Sequence, residues 1–432
     1  MMQKTLTGIR ILDLSRLLPG PYCSMILADL GANVIKIESH LSGDPTRMVP
    51  PHIGAQSCYF LSVNRNKKSI ALNLRREAGR QVFLEMAREA DVIIEGFRPG
   101  RAKRLGIGYD DIQALNPDIV YCSLSGYGQD GPLRDRPGHD INYAALAGLL
   151  DLLGLPGKEG VLPGVQLADM GGALFAAIGI LAALVARDRR GEGAYVDASM
   201  FDGALSLATF SAAPLMGEES LSDPRLEYLT GSFPCYSVYR TKDERRMTLG
   251  ALEPVLWSDF CEAIGRRDLV PKQFPHESER EAVISELRHV FAERTRAQWI
   301  EFLSDRNLAC EPLNTIEEAL GTPQVRDRGM VWEIDHPTAG RLKQIGLPLR
   351  SVVSASEGLR SVVSASEGLR SSPDEPRTAS PPPLLGQHTV EILHGLGYDD
   401  QAIEELRARK VVSTPDDVSR RGVKTLESLG SG

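Results

Sequence analysis

Residues 9–38 read IRILDLSRLLPGPYCSMILADLGANVIKIE. The run IRILDL (9–14) has the length and apolar content of a strand. PYCSMILADLG (21–31) opens with a proline near its first turn and closes on a glycine, the punctuation of a helix. NVIKIE (33–38) is a second strand. Strand, helix and strand in so short a span make a βαβ unit with parallel strands. The alternation continues outward through SIALNL (69–74), a helix over about 77–89, DVIIEGF (91–97), DIVYCSLSG (118–126), a long helix near 169–187 and AYVDAS (194–199). The expected fold is therefore α/β, with a Rossmann-like parallel-sheet large domain over 1–200, completed by 336–413. Between 225 and 335 the pattern changes. CYSVYRTKDERRMTLGA reads as a hairpin turning at KDERR, followed by helices in VLWSDFCEAIG, EREAVISELRHVFAE and RAQWIEFLSDR. This predicts a smaller α+β domain. The decapeptide SVVSASEGLR stands twice in tandem at 351–370, ahead of SSPDEPRTASPPP. A single duplication cannot build a solenoid, so 351–385 reads as a surface insertion and 414–432 as a flexible tail.

Bulk composition narrows the function. The chain has 432 residues, 42% hydrophobic and 25% charged, an ordinary globular balance for two domains or three. A net charge of -8 argues against nucleic acid, which needs a broad basic field. Six cysteines form no CxxC pair, which fits a reducing cytoplasm, and the eight histidines lack ligand spacing, so no metal site is expected. The N-terminus has no signal-peptide apolar core. The longest apolar run, ALFAAIGILAALVA (173–186), is too short to span a bilayer and reads as a buried helix; no membrane association is expected.

In an open parallel sheet, ligands bind beyond the carboxyl ends of the strands. Here those ends carry SRLLPGP (15–21), ESHLSG (38–43), GFRPGRAKR (96–104) and SGYGQDGP (125–132). Arg98, Arg101, Lys103 and Arg104, with RNKK at 65–68, form either a phosphate site or a solvated charged face. A dinucleotide site is disfavoured: the first strand is followed by a single glycine, not GxGxxG, although Glu38 occupies the place of a ribose-binding acid. RPGHDINYAALAG (136–148) sets His139 beside Asp140 just ahead of an apolar run, so His139 is either a catalyst or a helix cap.

Several long stretches, LDLSRLLPGPYCSMILADLGANVIKIE, NRNKKSIALNL, DVIIEGFRPG, SGYGQDGP, GHDINY, LADMGGALFAAIGILAALVARDRRGEGAYVDASMFDG and LGQHTVEILHGLGY, resemble the family III coenzyme A transferases and their relatives, the α-methylacyl-CoA racemases. The likeness runs from about residue 6 to 413. It implies an interlocked homodimer, with the active site between the large domain of one subunit and the small domain of the other. It implies an acyl-CoA thioester substrate, a free carboxylic acid as co-substrate in the transferases, and no permanently bound cofactor. Asp169, in LADMGG, matches the carboxylate common to both branches. In the transferases that carboxylate forms an acyl anhydride and then an aspartyl-CoA thioester; in the racemases it is one of two acid/base groups. GHDINY resembles the racemase form, which makes His139 the acid/base partner, and Glu253, in GALEP, matches a supporting glutamate. The CoA-binding set implied is Arg98, Arg104, Lys36, Leu72, Gly138, Asp140 and Tyr143, the last two as structural or substrate-wall residues. Val165 stands where the racemases tend to carry asparagine, four residues before the aspartate.

The chemistry asks for these groups. A thioester acidifies its α-carbon only modestly, so inversion needs a base on one face and an acid on the other, and an imidazole with a carboxylate can supply both. Residues 169–172 are expected to begin the long helix, offering free amides to an enolate or a carboxylate, while Gly171 and Gly172 allow close approach of the thioester. Asp169 as a simple helix cap, Glu253 as a helix-start acid and a non-catalytic CoA-binding module are the competing readings. Proton exchange on a 2-methylacyl-CoA is placed slightly ahead of CoA transfer.

Overall fold

The computed structural model describes residues 5–153, 161–216, 229–349 and 379–418. The chain divides into two compact units. One comprises 1–149, 162–208 and 329–432, the other 150–161 and 209–328.

The first unit is built on a seven-stranded sheet. Its strands run in the order Val412–Ser413, Lys67–Leu72, Asn33–Ser39, Arg10–Asp13, Val92–Glu95, Val120–Ser125 and Ala194–Ser199. All neighbours pair in parallel except Val412–Ser413, which runs antiparallel to Lys67–Leu72. Successive side chains point to opposite faces, and here both faces are covered. Ile11, Val34, Val92 and Ile94 enter a core with the helices Pro19–Asp29 and Leu167–Arg190, while Leu12, Ile35 and Ile93 enter another with Phe83, Met86 and Leu393. That is why the strands read as nearly continuous apolar runs. The chain steps one way from Arg10–Asp13 to Asn33–Ser39 and Lys67–Leu72, then returns to lay Val92–Glu95 on the other side. The reversal puts a topological switch point between the loops after Asp13 and after Glu95.

A buried charge lattice shapes the carboxyl end of this sheet. Lys36 is fully buried; its Nζ lies 3.0 Å from Asp44 Oδ2 and donates to the Ser15 carbonyl at 2.9 Å. Lys67 Nζ donates to the Pro21 carbonyl at 2.8 Å and lies 3.4 Å from Asp13 Oδ2. Burial alone would raise Asp13, but Lys36, Lys67 and the Ser15 and Ser24 hydroxyls hold it below the usual carboxylate range. Burial and the like charge of Lys36 push Lys67 down to about 8, against the pull of Asp13. Two of the residues expected to meet CoA are thereby reassigned. Lys36 is committed to this lattice, and the Leu72 side chain is buried in the core, its strand paired with Val412–Ser413.

The long helix spans Leu167–Arg190, longer than the sequence pattern suggests, and by length and composition it could cross a bilayer. Its apolar residues run all the way round, so only one flank finds the core. Ala173, Ala176, Ala177 and Ile180 are buried, whereas Leu174, Phe175, Ile178 and Val185 are exposed. Close packing with the helix Met200–Leu207 depends on glycines: a Cβ on Gly172 would lie 3.0 Å from Met200 Cα, and one on Gly203 would lie 2.9 Å from Gly172 N.

The second unit contains the expected hairpin, Tyr236–Arg240 against Arg246–Gly250, extended by Cys310–Pro312. Helices Pro254–Ala263, Glu277–Ala292 and Arg296–Leu303 pack on it. Tyr239 and Phe291 stack at 4.6 Å in a core with Trp257, Phe260 and Trp299. The boundaries differ from expectation at both ends. Met200–Leu207 and the hairpin of Val331–His336 with Gly340–Ile345 belong to the first unit. The repeat at 351–370 lies outside the described residues, but Leu385, within the expected insertion, is buried. Nor does a tail begin at 414: Thr414 is buried and Asp417 pairs with Arg407 at 3.0 Å.

Lys36→Ala leaves buried Asp44 without its ion-pair partner and Asp13 with Lys67 alone, and is expected to lower the unfolding free energy by about 3–5 kcal/mol. Urea unfolding measures this; wild-type stability with only a raised KM for CoA would return Lys36 to a binding role. Gly172→Val forces two backbones apart, at an expected loss of about 1–3 kcal/mol in the same assay.

Candidate active site

The strand Val120–Ser125 ends in Gly126, Tyr127 and Gly128, and the chain returns to this edge at 138–143. Tyr143 locks the two together. Its ring lies edge-on to Tyr127 at 5.0 Å, its hydroxyl donates to the Gly138 carbonyl at 2.6 Å, and a Cβ on Gly126 or Gly138 would clash with the phenol. Tyr143 is buried and therefore structural. Burial pushes its hydroxyl up to about 12, with Asp169 adding to the rise and Arg98 opposing it, so these three groups share one neighbourhood.

Asp140 begins the helix Asp140–Leu146, yet its carboxylate serves a different one. Asp140 Oδ1 accepts from the amide of Ala168 at 2.8 Å and of Asp169 at 3.0 Å, capping Leu167–Arg190 from outside. The Met170 amide is taken by the Gln166 carbonyl at 2.9 Å. The free donors expected at 169–172 are therefore absent: Asp140 uses the first, and the helix's own carbonyls use the rest. Gly171 and Gly172 are buried toward Gly203 and Met200, so their smallness serves helix packing and not access by a thioester.

Asp169 is the residue this arrangement leaves available. It does not cap its helix, and its half-buried carboxylate accepts no hydrogen bond from the described residues. Burial, then the like charge of Asp140, pushes it up to about 7. The expectation of a carboxylate stabilised as an anion by the helix start is thus reversed, because burial raises it and a second carboxylate already occupies those amides.

His139 holds the N-cap position of Asp140–Leu146, as the capping reading required, but through its backbone. Asn142 Oδ1 accepts from the His139 amide at 3.0 Å, and the imidazole is exposed. Its neighbour Asp140 brings it to the same helix start as Asp169. Glu253 lies in the second unit, at the N-cap position of Pro254–Ala263 with an exposed side chain that makes no capping bond. Asp140, Tyr143 and Asp169 belong to the first unit.

The switch-point loops supply cations. Arg98 and Arg104 are exposed, and neither they nor Arg16 and Arg101 pair with a carboxylate among the described residues. Arg16 and Arg101 each stand 5.7 Å from the Phe97 ring centre, on a loop that Glu95 fixes by accepting from the Phe97 amide at 2.6 Å. Burial pushes Glu95 up to about 6, although Ser123 and that amide oppose it. Arg101 Nε is buried with no hydrogen-bond partner. Arginines without carboxylates at strand ends favour an anion site over a solvated face. Arg16 stands three residues past Asp13, between Ser15 and Leu17, where a lone arginine carries no local signal.

The family described as CoA-transferase family III matches residues 6–389. The chain is 35% identical to succinyl-CoA:glutarate CoA-transferase of Homo sapiens over 95% of its own length and 90% of that protein. It is 32% identical to alpha-methylacyl-CoA racemase of Homo sapiens over 95% of its length and 98% of that protein. A crystal structure of a CAIB/BAIF family protein from Brucella suis superposes with a TM-score of 0.74 at 28% identity, covering 90% of this chain and 99% of that one. With a match of this length, and with an available carboxylate at the start of the long helix, the chain belongs to CoA-transferase family III.

Proposed function

We propose that the chain transfers coenzyme A between carboxylic acids, with Asp169 as the reacting carboxylate. The observation that carries this reading is the state of Asp169: half-buried, unengaged by hydrogen bonds from the described residues, and pushed up to about 7. A carboxylate with raised basicity is a stronger nucleophile than an ordinary surface aspartate, and near neutral pH a large share of it is still ionised. Asp169 attacks the thioester carbonyl of the donor and the CoA thiolate leaves, giving an acyl anhydride. The thiolate returns to the aspartyl carbonyl, releasing the donor acid and leaving an aspartyl-CoA thioester. The acceptor carboxylate then repeats the two steps in reverse. No water and no redox partner enters.

This inverts the order expected from the sequence. Support comes from the transferase at 35% identity over nearly the whole chain, from Val165, and from the site-helix amides, which Asp140 withholds from an enolate. Proton exchange on a 2-methylacyl-CoA remains the second reading because the exposed His139 imidazole adjoins Asp140 and so provides a partner acid/base. In either case Arg98 and Arg104, with Arg16 and Arg101, hold the CoA phosphates, and Glu253 is the supporting glutamate that the family likeness implies. The working form is a homodimer in which a second copy covers Leu174, Phe175, Ile178 and Val185. Six free cysteines suit a reducing cytoplasm.

Asp169→Ala is expected to reduce CoA exchange between an acyl-CoA and a free acid by more than about a thousandfold, and hydroxylamine is expected to trap an adduct at Asp169 in the native chain only. Deuterium uptake from D2O into 2-methylacyl-CoA without an acceptor acid, lost in His139→Ala, would establish the second reading instead. The pH profile gives an independent check. Protonated Asp169 cannot attack, so kcat/KM for transfer should rise with pH and level off above about 7. Asp140→Asn keeps an acceptor oxygen for the two amides but removes the like charge, so the rising limb should move to lower pH. An unmoved limb would show that burial alone sets it.

A further inference from the structure

The second unit holds a cavity of about 870 Å³. Its size is that of a small-molecule site. Phe210, Phe233 and Phe274 line it, with Phe233 edge-on to Phe274 at 5.5 Å. Into this apolar wall the helix Glu277–Ala292 projects Arg280, whose guanidinium carbon lies 4.3 Å from the Phe233 ring centre. Arg280 Nε is buried without a hydrogen-bond partner, and no carboxylate among the described residues pairs with the side chain. Glu277 borders the same cavity, one turn earlier, yet does not reach it.

Other arginines of the unit, such as Arg266 with Asp268 and Arg296 with Glu318, meet carboxylates; among the described residues Arg280 does not. A guanidinium stacked on a ring, with a desolvated N–H left open, lacks a planar two-oxygen acceptor. The rings around it supply surface for an apolar body. Glu277 disfavours a doubly charged ligand such as a phosphate monoester. We infer that the cavity binds a monocarboxylate carrying an apolar chain or ring, with the carboxylate on Arg280 and the body against the phenylalanines. The inference concerns the second unit by itself and holds whether the reaction is transfer or proton exchange.

The test is calorimetric titration of the full chain with octanoate, with octanol as the uncharged control. Native protein and Asp169→Ala should bind octanoate alike, octanol at least tenfold more weakly, and Arg280→Gln should lose tenfold or more in affinity. Arg280→Lys keeps the charge but not the fork and should fall between; it also serves if Arg280→Gln does not fold, which thermal unfolding reveals. The inference is overturned by no binding at millimolar octanoate, by equal affinity for octanol, or by unchanged affinity in both Arg280 variants. It is equally overturned by loss of binding in Asp169→Ala, which would place the acid at the reacting carboxylate and leave the transfer reading intact.

Discussion

Two hydrogen bonds to a single oxygen organise the start of the long helix. Asp140 Oδ1 takes the amides of Ala168 and Asp169, so one carboxylate both fastens the 138–143 turn to the long helix and charges the space beside the other. A helix start usually draws negative charge toward itself. Here Asp140 takes those amides, and burial, then the like charge of Asp140, raises Asp169.

The sheet beneath imposes a complementary constraint. Asp13, Lys36, Asp44 and Lys67 are buried together at the carboxyl end of the strands, where they tie the loop after Asp13 to its neighbours through Ser15 and Pro21. With the near loops held by internal ion pairs, the cations left over at the switch point, Arg16, Arg98, Arg101 and Arg104, have nothing inside the described chain to neutralise them. Buried lysines are thus paired inside the sheet while these arginines are left without carboxylates, although the sequence writes both as basic residues.

That distinction explains what could be read in advance. The strands and their parallel order were legible because both faces of the sheet are covered, which leaves long apolar runs separated by glycine and proline. The place of Asp169 at the start of the long helix was legible through its setting in LADMGG. Lys36 was not separable from Arg98, since a lysine within a strand looks identical whether it meets Asp44 or a phosphate. The role of Asp140 was hidden for a related reason: its partners lie 28 and 29 residues away, and no local pattern announces a side chain that caps a distant helix. Gly171 and Gly172 could be seen to demand close approach, but not by what; Met200 and Gly203 answer that only in three dimensions.

The edge strand Val412–Ser413 has a consequence for biosynthesis. It closes the sheet beside Lys67–Leu72, and Ser413 reaches back to the His40 carbonyl through its hydroxyl while its own carbonyl receives Thr389. A ribosome emits these residues some 340 positions after the strand they complete. Until then the nascent chain carries an open β edge, a template for unwanted pairing. The second unit, mostly the unbroken span 209–328, emerges earlier and can gather its core first. Order of manufacture and order of assembly therefore run in opposite directions: the domain begun first is finished last.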